Sequence, residues 1–188
     1  MTISLKKSLF FFFSTLVISF HSFAQKQPET IPEFTFFKFD KTPFTNKNLE
    51  PNKLIFICFF DVSCDHCQRA IGKISDHYKE FGKAAVYLVT LDQKESVKNF
   101  LNKYGKNIPG KKHITILHDL QNQFIIKFRP VKYPSMFLYG KNKKLIRYDD
   151  HEENVSQFIK DINHAAKWWW WVLNEWWIMK DKCLSTHS

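Results

Sequence analysis

Two cysteines separated by two residues, Cys64 and Cys67, are the part of this sequence best suited to chemistry. They follow an apolar run at 54–60 and precede apolar residues at helical spacing, at positions 70, 71, 74, 78 and 81. A Cys-x-x-Cys between a strand and a helix is typical of a dithiol that cycles with a disulfide. The first helical turn offers unpaired N–H groups and a positive dipole end, which favour a thiolate. The first cysteine of such a pair is normally the exposed one. We therefore predict Cys64 as the nucleophile and Cys67 as the thiol that resolves a mixed disulfide.

The two residues between these cysteines are candidates for tuning the thiolate. An imidazolium or ring N–H of His66 would stabilise the Cys64 thiolate, whereas the carboxylate of Asp65 would repel it. The alternative for His66 is an exposed turn histidine. We predict that Asp65 faces solvent.

Two other roles for the cysteine pair are an inert structural disulfide and half of a zinc site. Zinc is disfavoured because the sequence has no second Cys-x-x-Cys, and His113 and His118 lie far along the chain from Cys67. We predict that both histidines are surface residues flanking a strand. Cys58 is predicted to be a small hydrophobic residue on a central strand.

The N-terminus has the pattern of a secretory signal peptide. Lys6 and Lys7 precede an apolar stretch at 9–20, and Ser22-Phe23-Ala24 ends in a small residue where a signal peptidase cleaves. A retained membrane anchor is the alternative, although the apolar stretch is short for a span of about 20 residues. We predict a signal peptide at 1–24 and a mature protein outside the cytoplasm, in the periplasm.

The amino-acid composition excludes several classes of protein. The 188 residues include four cysteines, too few for a disulfide-stapled scaffold, and five glycines with no glycine-rich nucleotide loop. The formal charge is +10, but the lysines are scattered and form no basic stripe with stacking aromatic residues. We therefore predict no nucleic-acid partner, no bound cofactor and no metal, and a single domain at 25–166.

The order of predicted elements indicates an α/β fold. Strands are expected at 34–39 (or an edge hairpin there), 53–60, 85–91 and 114–117, with a hairpin at 135–148. The first helix runs from the cysteines to about Phe81. The second begins at a capping box of Asp92 and Glu95 and ends at Gly105. Asp119 caps a third helix, and a last helix includes 155–162. This alternation predicts a central mixed β-sheet flanked by helices on both faces.

Two segments make the chain resemble the thioredoxin-like superfamily and, within it, the secreted TlpA-like thiol-disulfide oxidoreductases. They are 59–68, which holds the cysteine pair, and 131–140, which holds Tyr133 and Pro134. The resemblance covers about 34–166. It implies a thioredoxin-like fold that exchanges disulfides with protein thiols, an unidentified redox partner and a monomer. It also implies a cis peptide bond before Pro134, which would lie against the cysteines and leave the backbone of Tyr133 free to bind an extended substrate.

The chain departs from the superfamily pattern at three places. Ser63 stands where thioredoxins usually have Trp, Cys58 stands at the place of their buried acid, and Ala70 replaces a Glu of the cytochrome-maturation branch. Asp61 or Asp65 would have to replace the missing proton acceptors. Two alternatives stay open, namely a non-catalytic binding module with a static disulfide and a peroxide-reducing relative. The second usually has a lone cysteine with a nearby Arg, whereas here Arg69 follows a pair.

The C-terminal segment 167–188 is predicted to be a Trp-rich tail of unknown role. It holds all six tryptophans, at 168–171 and 176–177, and Cys183, a predicted free thiol. Its apolar part is too short to span a bilayer. It could continue the last helix as one apolar stripe for a partner helix or a dimer, make weak contact with a membrane surface, or have no function.

Overall fold

The computed structural model describes residues 26–167, and the predicted signal peptide, the Trp-rich tail and Cys183 lie outside this part of the chain. The strands are β1 (Thr35–Phe37), β2 (Pro43–Thr45), β3 (Leu54–Phe59), β4 (Ala84–Thr90), β5 (Ile114–His118), β6 (Ser135–Tyr139) and β7 (Leu145–Asp149). The α-helices are α1 (Asp65–Asp76), α2 (Lys94–Tyr104), α3 (Gln123–Phe128) and α4 (residues 155–167). Among residues 26–167, no helix is both long and apolar enough to cross a membrane.

The seven strands form one mixed sheet in the order β2-β1-β5-β4-β3-β6-β7. β3 and β4 are parallel, as are β4 and β5, whereas β6 runs antiparallel to β3 and β7 antiparallel to β6. Every residue of β3 and β4 is buried, because helices cover both faces of these central strands. This arrangement confirms the predicted fold class, and the predicted edge hairpin near 34–39 is β1 with β2.

Alternation along β3 divides the hydrophobic core into two layers. Phe56 and Cys58 face α1, α2 and α4, whereas Ile57 and Phe59 face α3 and the β1–β2 hairpin. The predicted apolar residues of α4 are buried in the first layer, with Val155, Phe158 and Ile162 at 0% exposure. The sheet therefore holds α1 against its first face, with the cysteines at the end where β3 stops.

Two predicted helix boundaries differ from the structure. α1 ends at Asp76, not near Phe81, which lies in a short 3-10 helix (Glu80–Lys83) and is still buried against the same core. The capping box of Asp92 and Glu95 is also wrong. α2 is preceded by Gln93, whose side chain makes no capping bond, and the Asp92 carboxylate instead accepts hydrogen bonds from the Val62 N–H and the Thr90 hydroxyl.

Two further helix ends follow the sequence patterns, although α3 begins at Gln123 and Asn122, not Asp119, occupies its N-cap position. α2 ends at Tyr104 and is followed by Gly105, as predicted. The Asp119 carboxylate accepts from the N–H groups of Gln123 at 2.9 Å and Phe124 at 2.7 Å, and so pairs two donors at the start of α3.

Candidate active site

The two cysteines lie at the start of α1 and differ sharply in exposure. Cys64 occupies the N-cap position in extended backbone, and its Sγ accepts a hydrogen bond from the Cys67 N–H at 3.4 Å. Cys64 is half-buried, whereas Cys67 is fully buried beneath the first turn. The sulfur of Cys64 is thus the one that a substrate can reach, and it lies where a helix N-terminus favours negative charge.

Burial keeps the inner cysteine protonated. Removal from water raises the pKa of the Cys67 thiol well above its ordinary value, although the Asp61 N–H, which donates to its Sγ at 3.5 Å, opposes this shift. A thiol in this state is a poor nucleophile, because the thiolate is the reactive form. Cys64 is therefore the outer, accessible cysteine, and Cys67 is the inner, buried one.

The segment before β6 closes over the outer cysteine. The Tyr133–Pro134 peptide bond is cis, as the family resemblance implied. The Tyr133 carbonyl oxygen lies 3.9 Å from Cys64 Sγ, and the Tyr133 ring packs on Phe59 at a centroid distance of 4.9 Å. Burial, reinforced by the carboxylate of Asp61, raises the pKa of the Tyr133 phenol to about 12, so that it stays protonated at neutral pH.

Two carboxylates hold the loop between β3 and α1. Asp61 Oδ1 accepts hydrogen bonds from the Ser63 N–H at 2.7 Å and from the Ser63 hydroxyl. Asp92 Oδ2 accepts from the Val62 N–H at 3.0 Å, which ties the end of β4 to this loop. Local sequence does not reveal this role of Asp92, because its spacing to Glu95 resembles a helix cap.

His66 lies beside an acidic residue that is distant in sequence. Its Nδ1 lies 2.9 Å from Oε2 of Glu152, whose Oε1 accepts a hydrogen bond from Arg69 Nε at 2.7 Å. Although partial burial opposes it, these bonds from Arg69 and His66 lower the pKa of Glu152 to about 2. The carboxylate is therefore ionised throughout the neutral range.

The remaining candidates fall into different environments. Asp65 is exposed in the first turn of α1, as predicted. Cys58 is buried on β3, where removal from water raises its pKa to about 12, which agrees with the predicted structural role. The predicted surface position of His118 is wrong, because it is 8% exposed and its Nε2 lies 3.1 Å from the Leu91 carbonyl oxygen. His113 is half-buried, with Nε2 3.0 Å from the Tyr78 carbonyl oxygen.

An apolar groove of about 180 Å³ begins beside Tyr133 and is lined by Phe59, Ile125, Pro130, Val131, Lys132 and Tyr133. Ile125 is 46% exposed and Val131 66% exposed, so their side chains present apolar surface to solvent. Tyr133 lines this groove and its carbonyl oxygen also lies 3.9 Å from Cys64 Sγ, so the groove and the outer cysteine share one neighbour.

A family model described as the AhpC/TSA family matches residues 28–148, more than half of the chain. The chain therefore belongs to the AhpC/TSA family, within the thioredoxin-like superfamily that the sequence predicted.

A curated relative, the thiol-disulfide oxidoreductase ResA of Bacillus anthracis, is 24% identical over 116 residues, which are 58% of this chain and 64% of the relative. The chain thus spans less than two thirds of the length of that protein.

Solved structures share the fold. MTB dsbF has a TM-score of 0.60 at 17% identity, covering 74% of this chain and 99% of its own. A secreted Mycobacterium tuberculosis disulfide oxidoreductase homologous to E. coli DsbE has a TM-score of 0.55 at 15% identity, covering 68% of this chain and 95% of its own. These likenesses confirm the thioredoxin-like fold.

Proposed function

We propose that this chain is a thiol-disulfide oxidoreductase that exchanges disulfides with protein thiols outside the cytoplasm. The observation that carries the proposal is the difference in exposure between the two cysteines at the start of α1. The accessible Cys64 sulfur accepts a hydrogen bond from the Cys67 N–H at 3.4 Å, whereas Cys67 is buried. Relatives in the same superfamily that are named for this activity support it.

The reduction of a client disulfide would proceed in two exchange steps. The Cys64 thiolate attacks one sulfur of the client disulfide, the client S–S bond breaks, and the other client sulfur leaves and takes up a proton. Cys67 then loses its proton and attacks the Cys64 sulfur, which releases the first client sulfur as a thiolate. The released thiolate takes up the proton that Cys67 lost, and the other client proton comes from the solvent that received it when Cys64 ionised. The client therefore gains two electrons and two protons, and the pair ends as a Cys64–Cys67 disulfide. The reverse sequence oxidises a client dithiol.

Tyr133 and Pro134 are proposed to bind the client next to its reacting cysteine. The Tyr133 carbonyl lies beside the Cys64 sulfur, where it can accept a hydrogen bond from an extended client segment. An apolar client side chain near that cysteine would enter the groove of Ile125 and Val131. His66 and Asp65 are proposed to tune the thiolate with opposite signs.

The location outside the cytoplasm rests on the predicted signal peptide at 1–24. The secreted Mycobacterium tuberculosis neighbour supports this placement. N-terminal sequencing of the protein from a secreting host should find Gln25 as the first residue. An intact Met1 on a cytoplasmic product would contradict it.

We also propose that the domain acts as a monomer, and that 167–188 contributes at most weak contact with a membrane surface.

Reduction of insulin in the presence of dithiothreitol tests the activity. The wild-type protein should accelerate the precipitation of insulin chains, Cys64→Ala should abolish the acceleration, and Cys58→Ala should retain it as a matched loss of a thiol. A wild-type rate equal to that of Cys64→Ala would favour the static binding module instead. Consumption of hydrogen peroxide without insulin reduction would favour the peroxide-reducing relative.

A further inference from the structure

Glu152 connects the turn before α4 to the helix that holds the cysteines. It begins the short 3-10 helix Glu152–Asn154, and its side chain is 13% exposed although the groups around it are largely in solvent. Its backbone carbonyl accepts a hydrogen bond from Lys73 Nζ at 3.1 Å, on the same helix α1. Glu152 is therefore held against α1 through both its side-chain carboxylate and its backbone carbonyl.

The carboxylate binds two side chains that flank the cysteine pair. Arg69 Nε donates to Oε1 at 2.7 Å, His66 Nδ1 lies 2.9 Å from Oε2, and Arg69 Nη2 lies 2.9 Å from His66 Nδ1. His66 itself stands between Cys64 and Cys67 in the sequence. All three groups thus meet on the surface of α1 next to its N-terminal turn.

Arg69 brings a positive charge to the turn that holds the cysteine pair. Its Nη2 lies 2.9 Å from Nδ1 of His66, the second residue after Cys64, and its guanidinium interacts electrostatically with Cys64 and Asp65. A cation near a thiolate stabilises it, and an anion that pairs with the cation weakens this effect. The position of the Glu152 carboxylate therefore determines how much positive charge the Cys64 thiolate experiences.

We propose that Glu152 is a positioning residue that makes the cysteine pair more reducing, by holding Arg69 and His66 against its own carboxylate. The inference rests on the proposed function, because it concerns the redox potential of the same pair. The dithiol form is stabilised whenever the Cys64 thiolate is stabilised, and stabilising the dithiol makes the pair a stronger oxidant. By pairing with the Arg69 guanidinium and lying against His66, Glu152 opposes that shift.

The equilibrium with glutathione measures this effect directly. In the balanced reaction, the protein dithiol and one oxidised glutathione give the protein disulfide and two reduced glutathiones, so two electrons and two protons leave the pair. Glu152→Gln should shift the equilibrium toward the protein dithiol by about tenfold at neutral pH, which corresponds to about 30 mV. Arg69→Gln, which removes the cation, should shift it toward the disulfide.

The control is Glu153→Gln, which removes the same charge from an exposed neighbouring residue. The shift caused by Glu152→Gln should shrink in 0.5 M salt, as an electrostatic effect does and a packing effect does not. A Glu152→Gln equilibrium within twofold of Glu153→Gln, or a shift toward the disulfide, would overturn the inference. If Glu152→Gln does not fold, an unshifted Arg69→Gln overturns it. Failure of the wild-type pair to exchange with glutathione would instead overturn the proposed function.

Discussion

The Tyr133 carbonyl oxygen lies 3.9 Å from the Cys64 sulfur, across a sequence separation of 69 residues. The sheet creates this proximity, because β6 pairs antiparallel with β3 and so places its first residue next to the last residue of β3. Tyr133, just before β6, also lines the apolar groove. One contact therefore joins the reactive sulfur to the surface that we propose for client binding.

The two cysteines should differ in their rates of alkylation. At neutral pH, iodoacetamide should modify Cys64 at least tenfold faster than Cys67, because Cys67 is fully buried and its pKa is raised. Mass spectrometry of the reduced protein after a short reaction measures both rates. The Cys67→Ser variant should keep the fast site, and Cys64→Ser should lose it. Faster modification of Cys67 would reverse the proposed roles.

Glu152 should stabilise the fold in a pH-dependent way. Its pKa in the folded protein is about 2, below its ordinary value of 4.5, so the unfolded chain takes up the proton first as the pH falls. The contribution is therefore complete above about pH 4.5 and is lost as the pH falls through 2. At pH 7, Glu152→Gln should lower the free energy of unfolding by up to about 1 kcal/mol, and the difference should vanish near pH 2.

Urea denaturation at several pH values measures this difference, with Glu153→Gln as the control of equal charge. A difference that stayed constant from pH 7 to pH 2 would show that the loss comes from packing and not from the ionised carboxylate.

The apolar groove should contribute to client affinity. Ile125→Ser removes an apolar side chain that is 46% exposed in the groove, and Ile146→Ser removes one that is 47% exposed on β7. For a disulfide peptide with Leu beside its cysteine, Ile125→Ser should raise KM about fivefold, equivalent to about 1 kcal/mol of apolar contact. Ile146→Ser should leave KM unchanged. Neither variant should slow the reduction of a small aromatic disulfide. Equal effects of both variants on KM for the peptide would exclude a role of the groove in client binding.

Much of the fold follows from local patterns, which explains why it could be predicted. The runs of buried residues in β3 and β4 have no polar alternation, as strands covered on both faces require. The cysteine pair and the Tyr-Pro strand can be predicted from sequence because their residue types and order are specific.

The errors concern contacts that no local pattern encodes. Apolar spacing continued to Phe81 because a 3-10 helix after α1 points that side chain into the same core. Asp92 resembled a helix cap, but its carboxylate accepts from Val62, which lies 30 residues earlier in the chain. Glu152 pairs with His66 across 86 residues, so only the folded chain reveals that contact.

Cys58 should serve packing and not exchange. It is 0% exposed on β3, and burial raises the pKa of its thiol to about 12. Cys58→Ala should lower the free energy of unfolding by about 1 kcal/mol, because it leaves a small cavity in the core. The rate of insulin reduction should stay within twofold of wild type. Thermal melts and the insulin assay check the two statements separately, and a loss of exchange in a folded Cys58→Ala protein would assign this cysteine a redox role.

The most direct test of the account is to trap the mixed disulfide on Cys64. Cys67→Ala removes the resolving thiol but leaves the accessible Cys64. Incubation with native insulin, whose disulfides are intact, should therefore give a covalent adduct that dithiothreitol reverses. Peptide mapping should place the adduct on Cys64, and the Cys64→Ala/Cys67→Ala double variant should form none. An absence of adduct in folded Cys67→Ala, or an adduct mapped to Cys58, would contradict the proposed exchange mechanism.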